Sequence, residues 1–320
     1  MMRIAVATAL LISLMAPASV FGEDRWAIVL SGASGGPKYA EDMKKWRTAL
    51  AAALVDRYGF AKDKVRVFAD ESDKATPQGT AANVRSTIAE VKKQLTRDDL
   101  LVLILLGHGT FDGEAAKFNL VGPDLTAGDW AALLSGMNGR LVVINTTEAS
   151  FPFLEQLSGP NRVVITATDS PAQKYATVFP EYLVKAMSEA SSDLDKNGRT
   201  SIFEVFAAAS LAVKQHYEQR GQLTTERALL DDNGDRVGRE SEAPGPDGAL
   251  ARTLYLDAED AMAAGNPELA GLLRRRRELE AEAEALKLKK DSMAPQLWQA
   301  EYEKLMLELA RISREIRSKP

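Results

Sequence analysis

The chain reads as an α/β protein, a mostly parallel sheet with helices on both faces, followed by a C-terminal α-helical hairpin. Three observations predict this. From residue 26 onward, short β-branched apolar runs alternate with longer amphipathic stretches, the pattern of helices crossing over a parallel sheet. The runs LLVLILL and RLVVIN are almost uninterrupted apolar, as central strands covered on both faces are. Beyond residue 266 the composition shifts to Leu, Glu, Arg, Lys and Ala, with apolar residues at coiled-coil spacing.

The elements follow in chain order. Residues 1–22 carry one early arginine, an apolar run from Ile4 to Met15 and small residues at Val20 and Gly22. This is the pattern of a secretory signal peptide cleaved before Glu23, the run being short for a membrane span; an uncleaved anchor is the alternative. An exported protein is therefore expected, periplasmic or extracellular, with no membrane attachment after cleavage. Strands are predicted over 26–31, 65–69, 100–106, 141–145 and 163–168, and helices over 42–58, 81–95, 127–134, 181–190 and 201–219. Together they make a domain spanning 23–258. RESEAPGPDG within 239–250 mixes charge with Pro and Gly and reads as a loop or linker, and 253–256 as a possible edge strand. In the last segment, 266–320, Leu272, Leu279, Leu286 and Met293 fall seven apart; after Pro295, Trp298, Tyr302, Leu305, Leu309, Ile312 and Ile316 step by four and three. Pro295 would cost a continuous helix about 3 kcal/mol, so a hairpin is expected, with RRRRELEAEAE as its solvated face. Its apolar stripe could pack on its own arm, on the sheet domain or on a second copy in a homo-oligomer.

Composition excludes several chemistries. With 45% hydrophobic and 27% charged residues the chain can bury a core. A net charge of −5 speaks against nucleic acid as a partner. The absence of Cys removes disulfides, thiolate metal sites and any cysteine nucleophile, and two His cannot build a multi-histidine metal cage.

Ligands of such sheets bind at the carboxyl ends of the strands. There, LLGHG places His108 between glycines directly after the third strand, well placed for a general base, although a lone strand-end His is more often structural. The next strand runs into Thr146, Thr147, Glu148, Ala149 and Ser150, so two adjacent strands aim polar groups at one place.

From residue 26 to about 187 the sequence resembles the legumain-type cysteine peptidases of the caspase-haemoglobinase clan. WAIVLSGASG with Tyr39 is similar to the opening strand and glycine loop, KVRVFADE to the second strand, LLGHG to the histidine loop, and LVVIN with TTEAS to the strand bearing the nucleophile in a Glu-Ala-Cys-Glu-Ser pattern. The resemblance implies a caspase-like fold, puts His108 at the catalytic histidine, Asn145 at the family's glutamate and Thr147 at the cysteine, and replaces an arginine-histidine pair that helps bind asparagine with Ala40 and Glu41. Cysteine chemistry is excluded. A threonine hydroxyl titrates far above a thiol and needs an orienting third group, for which Asp112 or Glu148 are candidates. The favoured expectation is a catalytically silent homologue that binds a peptide or protein ligand. The alternatives are a Ser/Thr-dependent hydrolase using His108 with Thr147, then Thr146 or Ser150, and an assembly protein acting through the hairpin.

One further motif stands apart. DLDKNGRTSIFE, residues 193–204, fits the twelve-residue calcium loop of an EF-hand: Asp193, Asp195 and Asn197 at one, three and five, Gly198 at six, the Arg199 carbonyl at seven, Ser201 at nine and Glu204 at twelve. Calcium is the expected cofactor, in a structural role. Thr200 stands where such loops carry an aliphatic residue that pairs with a partner loop. The plainer alternative is an Asx-rich turn with Ser201 or Thr200 as helix N-cap. A second cluster, Asp231, Asn233 and Asp235, starts like such a loop, but Arg236 takes the glycine place, and it reads as an exposed turn. His216 reads as a surface or packing residue.

Overall fold

The computed structural model describes residues 23–71, 76–257 and 266–319, so the expected signal peptide lies outside the described residues. Its centre is a six-stranded sheet built of β1 (Arg25–Ser31), β2 (Val65–Phe68), β3 (Leu100–Leu106), β7 (Arg140–Asn145), β8 (Arg162–Thr166) and β9 (Leu229–Asp231). The order is β2-β1-β3-β7-β8-β9, parallel throughout except for β9, which runs antiparallel to β8.

Every residue of β3 is buried, which is why its sequence lacks a polar face. Period-two alternation still sorts the side chains between two cores. Ala27, Val29, Val102, Ile104 and Ile144 face one side, under α1 (Pro37–Ala52), α5 (Phe179–Ser188) and α6 (Ile202–Gln219). Ile28, Leu30, Leu101, Leu103 and Val143 face the other, under α2 (Ala81–Gln94), α3 (Ala127–Leu134) and α4 (Phe151–Leu157). A small antiparallel sheet, β4 (Gly109–Phe111), β5 (Ala116–Phe118) and β6 (Leu125–Thr126), follows β3. The Thr126 hydroxyl accepts the Asp129 backbone N–H at 3.0 Å, and the Asp129 carboxylate accepts back from Thr126, so a reciprocal cap starts α3 where the sequence places it.

Two expectations are corrected. The first helix begins at Pro37, whose fixed φ suits a first turn, and ends in a π-helical turn over Ala53–Arg57; its polar opening residues hid the start from periodicity. The sheet edge is Leu229–Asp231, not 253–256. The latter leaves the short helix α7 (Ala249–Thr253) and pairs with the loop before α6, where Ile202 N–H donates to Leu254 O and Leu256 N–H to Thr200 O, both at 2.9 Å. The stretch 239–250 is mostly loop, held to the domain where Arg239 exchanges both backbone hydrogen bonds with Leu230 and where Asp247 is buried.

The C-terminal hairpin is formed as expected, by α8 (Pro267–Leu288) and α9 (Pro295–Ser318). Leu279, Leu286 and Ile312 are buried, and the Trp298 indole N–H donates to Leu286 O at 2.8 Å beside the turn. The Arg275–Glu308 pair at 2.9 Å and the Lys319–Glu268 pair at 2.6 Å fix the antiparallel register. The basic run is thus partly turned inward. The hairpin docks through a buried Arg199–Glu280 ion pair, with the Arg199 guanidinium 3.6 Å from the centre of the Tyr255 ring.

Candidate functional site

Crossovers leave β1 toward β2 on one side and β3 toward β7 on the other, so the strand order reverses between β1 and β3. A crevice at the carboxyl ends of these strands is where open α/β sheets bind ligands. Three chain segments meet there: Gly32 to Gly36 after β1, Gly107 to Gly109 after β3, and 146–150 after β7. Gly32 cannot carry a side chain, since a Cβ would sit 2.1 Å from Asn119 O.

His108 stands in the middle. Its Nδ1 lies 2.8 Å from Glu148 Oε1, and its Nε2 lies 3.1 Å from Ser34 O. The second Glu148 oxygen accepts the Gly109 N–H at 2.9 Å, so the carboxylate is clamped. Tyr39 meets the imidazole edge to face at 4.7 Å. Both ring nitrogens face acceptors, an arrangement that suits the imidazolium donating from both. The Glu148 hydrogen bond accordingly raises the His108 pKa above the ordinary histidine value, against the opposing effect of burial. Of the two candidate orienting groups, Glu148 is the one that reaches His108. Asp112 instead pairs with Lys117 at 2.6 Å across the β4–β5 turn.

Thr147 has no exposed surface, and its Oγ1 is buried without a hydrogen-bond partner. The reason is local. A Cβ at Gly109 would sit 2.5 Å from Thr147 Oγ1, so the β4 backbone lies directly on the hydroxyl. No hydrogen bond joins Thr147 to His108; both imidazole nitrogens are engaged elsewhere. The other hydroxyls are occupied too. Thr146 donates to Leu105 O at 2.8 Å, and Ser150 pairs with Thr168 at 3.0 Å. Asn145 Oδ1 accepts the Thr147 N–H at 3.1 Å and holds the turn. Each does structural work at the strand ends.

Sequence reasoning missed Glu226, buried nearby. Its carboxylate accepts from Val178 N–H at 2.8 Å, Phe179 N–H at 3.2 Å and the Tyr217 hydroxyl at 2.8 Å, so it caps the start of α5. Burial raises its pKa. Only its acidic residue type was visible in the sequence. His216 is a packing residue, its Nδ1 2.8 Å from the Tyr182 hydroxyl.

In the loop 193–204, carboxylate oxygens of Asp193, Asp195 and Glu204 come within 4.8 Å of one another. Gly198 takes φ +84°, the left-handed turn that its place demands, and its N–H donates to Asp193 Oδ2 at 2.9 Å. Asn197 Oδ1 accepts the Arg199 N–H at 2.8 Å. The plainer alternative is present as well, since Ser201 and Glu204 form a reciprocal cap on α6. Burial, joined by the charges of Glu204 and Asp193, raises the Asp195 pKa. A cation among these oxygens would relieve that repulsion. The Arg199 side chain points away to Glu280, leaving only its backbone for the loop. The cluster at 231–235 is exposed at Asn233 and Asp235, as expected of a turn, whereas Asp231 and Asp232 are buried, and so is Asp247 beside them.

No family model matches the chain. Metacaspase-4 of Arabidopsis thaliana is 37% identical over 57 residues, a stretch covering 18% of this chain and 13% of that protein. Among solved structures, caspase-1 of Spodoptera frugiperda aligns with TM-score 0.44 and 9% identity over 66% of this chain and 86% of its own. A Geobacter sulfurreducens protein aligns with TM-score 0.43 and 16% identity over 65% and 92%.

Proposed function

We propose that this chain is an exported caspase-like and legumain-like peptidase homologue that has lost hydrolysis and binds a peptide or protein ligand over the carboxyl ends of β1, β3 and β7. The observation that carries the reading is the state of the two residues at the catalytic positions. His108 is held between Glu148 and the Ser34 carbonyl, and Thr147 is sealed under Gly109. Covalent catalysis needs a nucleophile within reach of both its base and the substrate. A hydroxyl with no surface and no base meets neither need. The strand ends there present a half-buried imidazole, the exposed Tyr39 ring and the backbone of the loop 33–36, which suit recognition of an extended peptide. In the same reading, calcium held by Asp193, Asp195, Asn197, the Arg199 carbonyl and Glu204 stabilises the fold.

The test is incubation of the purified chain with a diverse peptide library, analysed for cleavage and for retained peptides. Retention that Tyr39→Ala weakens, with no cleavage, supports the proposal. Cleavage that Thr147→Ala abolishes overturns it.

The Glu148–His108 pair favours one second reading, a hydroxyl-dependent hydrolase, because a carboxylate on Nδ1 is how a general base is oriented. That reading requires hydrolysis that disappears in His108→Ala. Exposed Leu297 and Leu307 on α9 favour a role for the hairpin in self-association. Removal of the residues after Asn266 would then change the oligomeric state and leave peptide retention intact.

A further inference from the structure

The loop that follows the edge strand repeats the loop 193–198 position by position. Asp231 stands first as Asp193 does, Asn233 third as Asp195 does, and Asp235 fifth as Asn197 does. The fourth and sixth residues are left-handed in both, Lys196 at φ +58° and Gly198 at +84° in one, Gly234 at +84° and Arg236 at +67° in the other. The sixth residue therefore has the required backbone even though it is an arginine. The first aspartate accepts the N–H of the sixth residue in each, Gly198 to Asp193 at 2.9 Å and Arg236 to Asp231 at 2.7 Å. The fifth side chain accepts the N–H of the seventh, Arg199 to Asn197 at 2.8 Å and Val237 to Asp235 at 2.7 Å. Such geometry alone would make only a turn.

What distinguishes the second loop is its closing group. Glu242, the twelfth residue, is turned outward to Lys214 at 2.8 Å. Asp247 comes in instead, placing a carboxylate oxygen within 4.8 Å of those of Asp231 and Asp235. Its side chain is 1% exposed. Oδ1 accepts the Asp232 N–H at 3.2 Å, whereas Oδ2 is buried with no hydrogen bond and is ion-paired with the Arg239 Nε at 3.9 Å, too far for that donor to bond it. A buried carboxylate oxygen without a hydrogen bond is costly, and one guanidinium at 3.9 Å does not balance the three carboxylates of Asp231, Asp235 and Asp247, so the group calls for a further cation. The neighbouring Asp232 makes the contrast: its two oxygens accept from Gly248 and Ala251 N–H at 2.8 and 2.7 Å and cap α7.

We propose that Asp231, Asn233, Asp235 and Asp247 form a second site for a hard divalent cation of calcium's chemistry, closed by Asp247 from outside the loop. Oxygen ligands alone, three of them carboxylates, select such an ion over softer metals.

The test titrates calcium chloride into the chelator-stripped full chain by calorimetry, in a Glu204→Gln background that disables the first loop. This variant is expected to retain a bound calcium, with affinity falling roughly tenfold or more on adding Asp247→Asn or Asp235→Asn. Asp235 is exposed, so its variant decides the matter should Asp247→Asn fail to fold, as circular dichroism in chelator would show. Absence of calcium binding by Glu204→Gln would overturn the proposal. So would undiminished binding when Asp235→Asn is added.

Discussion

The backbone of Gly109 rests on the hydroxyl of Thr147, so closely that a methyl group at 109 would lie 2.5 Å from Oγ1 and 3.0 Å from Cβ. The residue at the nucleophile position is thus packed as a core residue. Gly109→Ala is expected to cost about 1–3 kcal/mol through overpacking, read as a lower denaturant midpoint. Thr147→Ala removes a buried hydroxyl that has no partner, and its stability is expected within about 1 kcal/mol of the parent or above it. Equal stability of Gly109→Ala and parent would show that the β4 turn yields freely.

The Glu148 bond raises the folded-state pKa of His108, and the sign of its effect on stability follows. The folded chain holds the proton more tightly than the unfolded one, so the contribution is complete below the unfolded value of about 6.5 and disappears as pH rises through the raised folded value. The stability gap between parent and His108→Gln should therefore shrink from pH 6 toward alkaline pH. Urea titrations across that range measure it, and a gap that widened would contradict the assignment.

Loss of the closing carboxylate of the first loop should show most strongly when calcium is present, over a smaller effect from its part in the α6 cap. Glu204→Gln is expected to melt lower than the parent in calcium, with a much smaller difference in chelator, because a ligand stabilises only the form that binds it. That linkage is worth about 2.7 kcal/mol at a hundredfold excess over Kd. Differential scanning calorimetry with and without chelator tests this; a parent melting temperature indifferent to calcium would count against the site.

The ion pair between Arg199 and Glu280 ties the hairpin to the sheet domain from inside. Glu280→Ala removes a charged hydrogen-bond acceptor from the Arg199 guanidinium, which keeps its stacking on Tyr255, and should destabilise the chain by about 1.5–3 kcal/mol. Limited proteolysis is expected to degrade the hairpin, residues 267–318, ahead of the sheet domain. Cleavage kinetics like those of the parent would mean that the other contacts suffice.

The two long apolar strands were legible because burial on both faces leaves no polar positions, and the hairpin because its repeats are long. The edge strand Leu229–Asp231 was not, since three residues carry no periodicity. At the crevice, His108 could be placed from the strand that ends before it. The choice between Asp112 and Glu148 could not be made, because it depends on where a β-turn and a neighbouring strand end meet in space. Asp247 was invisible for the same reason: it reaches its partners through the fold, sixteen positions after Asp231.

Because β9 runs antiparallel, only alternate residues direct their peptide groups away from β8. In its three residues that outward position is Leu230, and both of its groups are already bonded to Arg239, at 2.9 and 2.8 Å. This margin of the sheet therefore offers no template for strand addition, a protection against amyloid-like stacking of one molecule on the next.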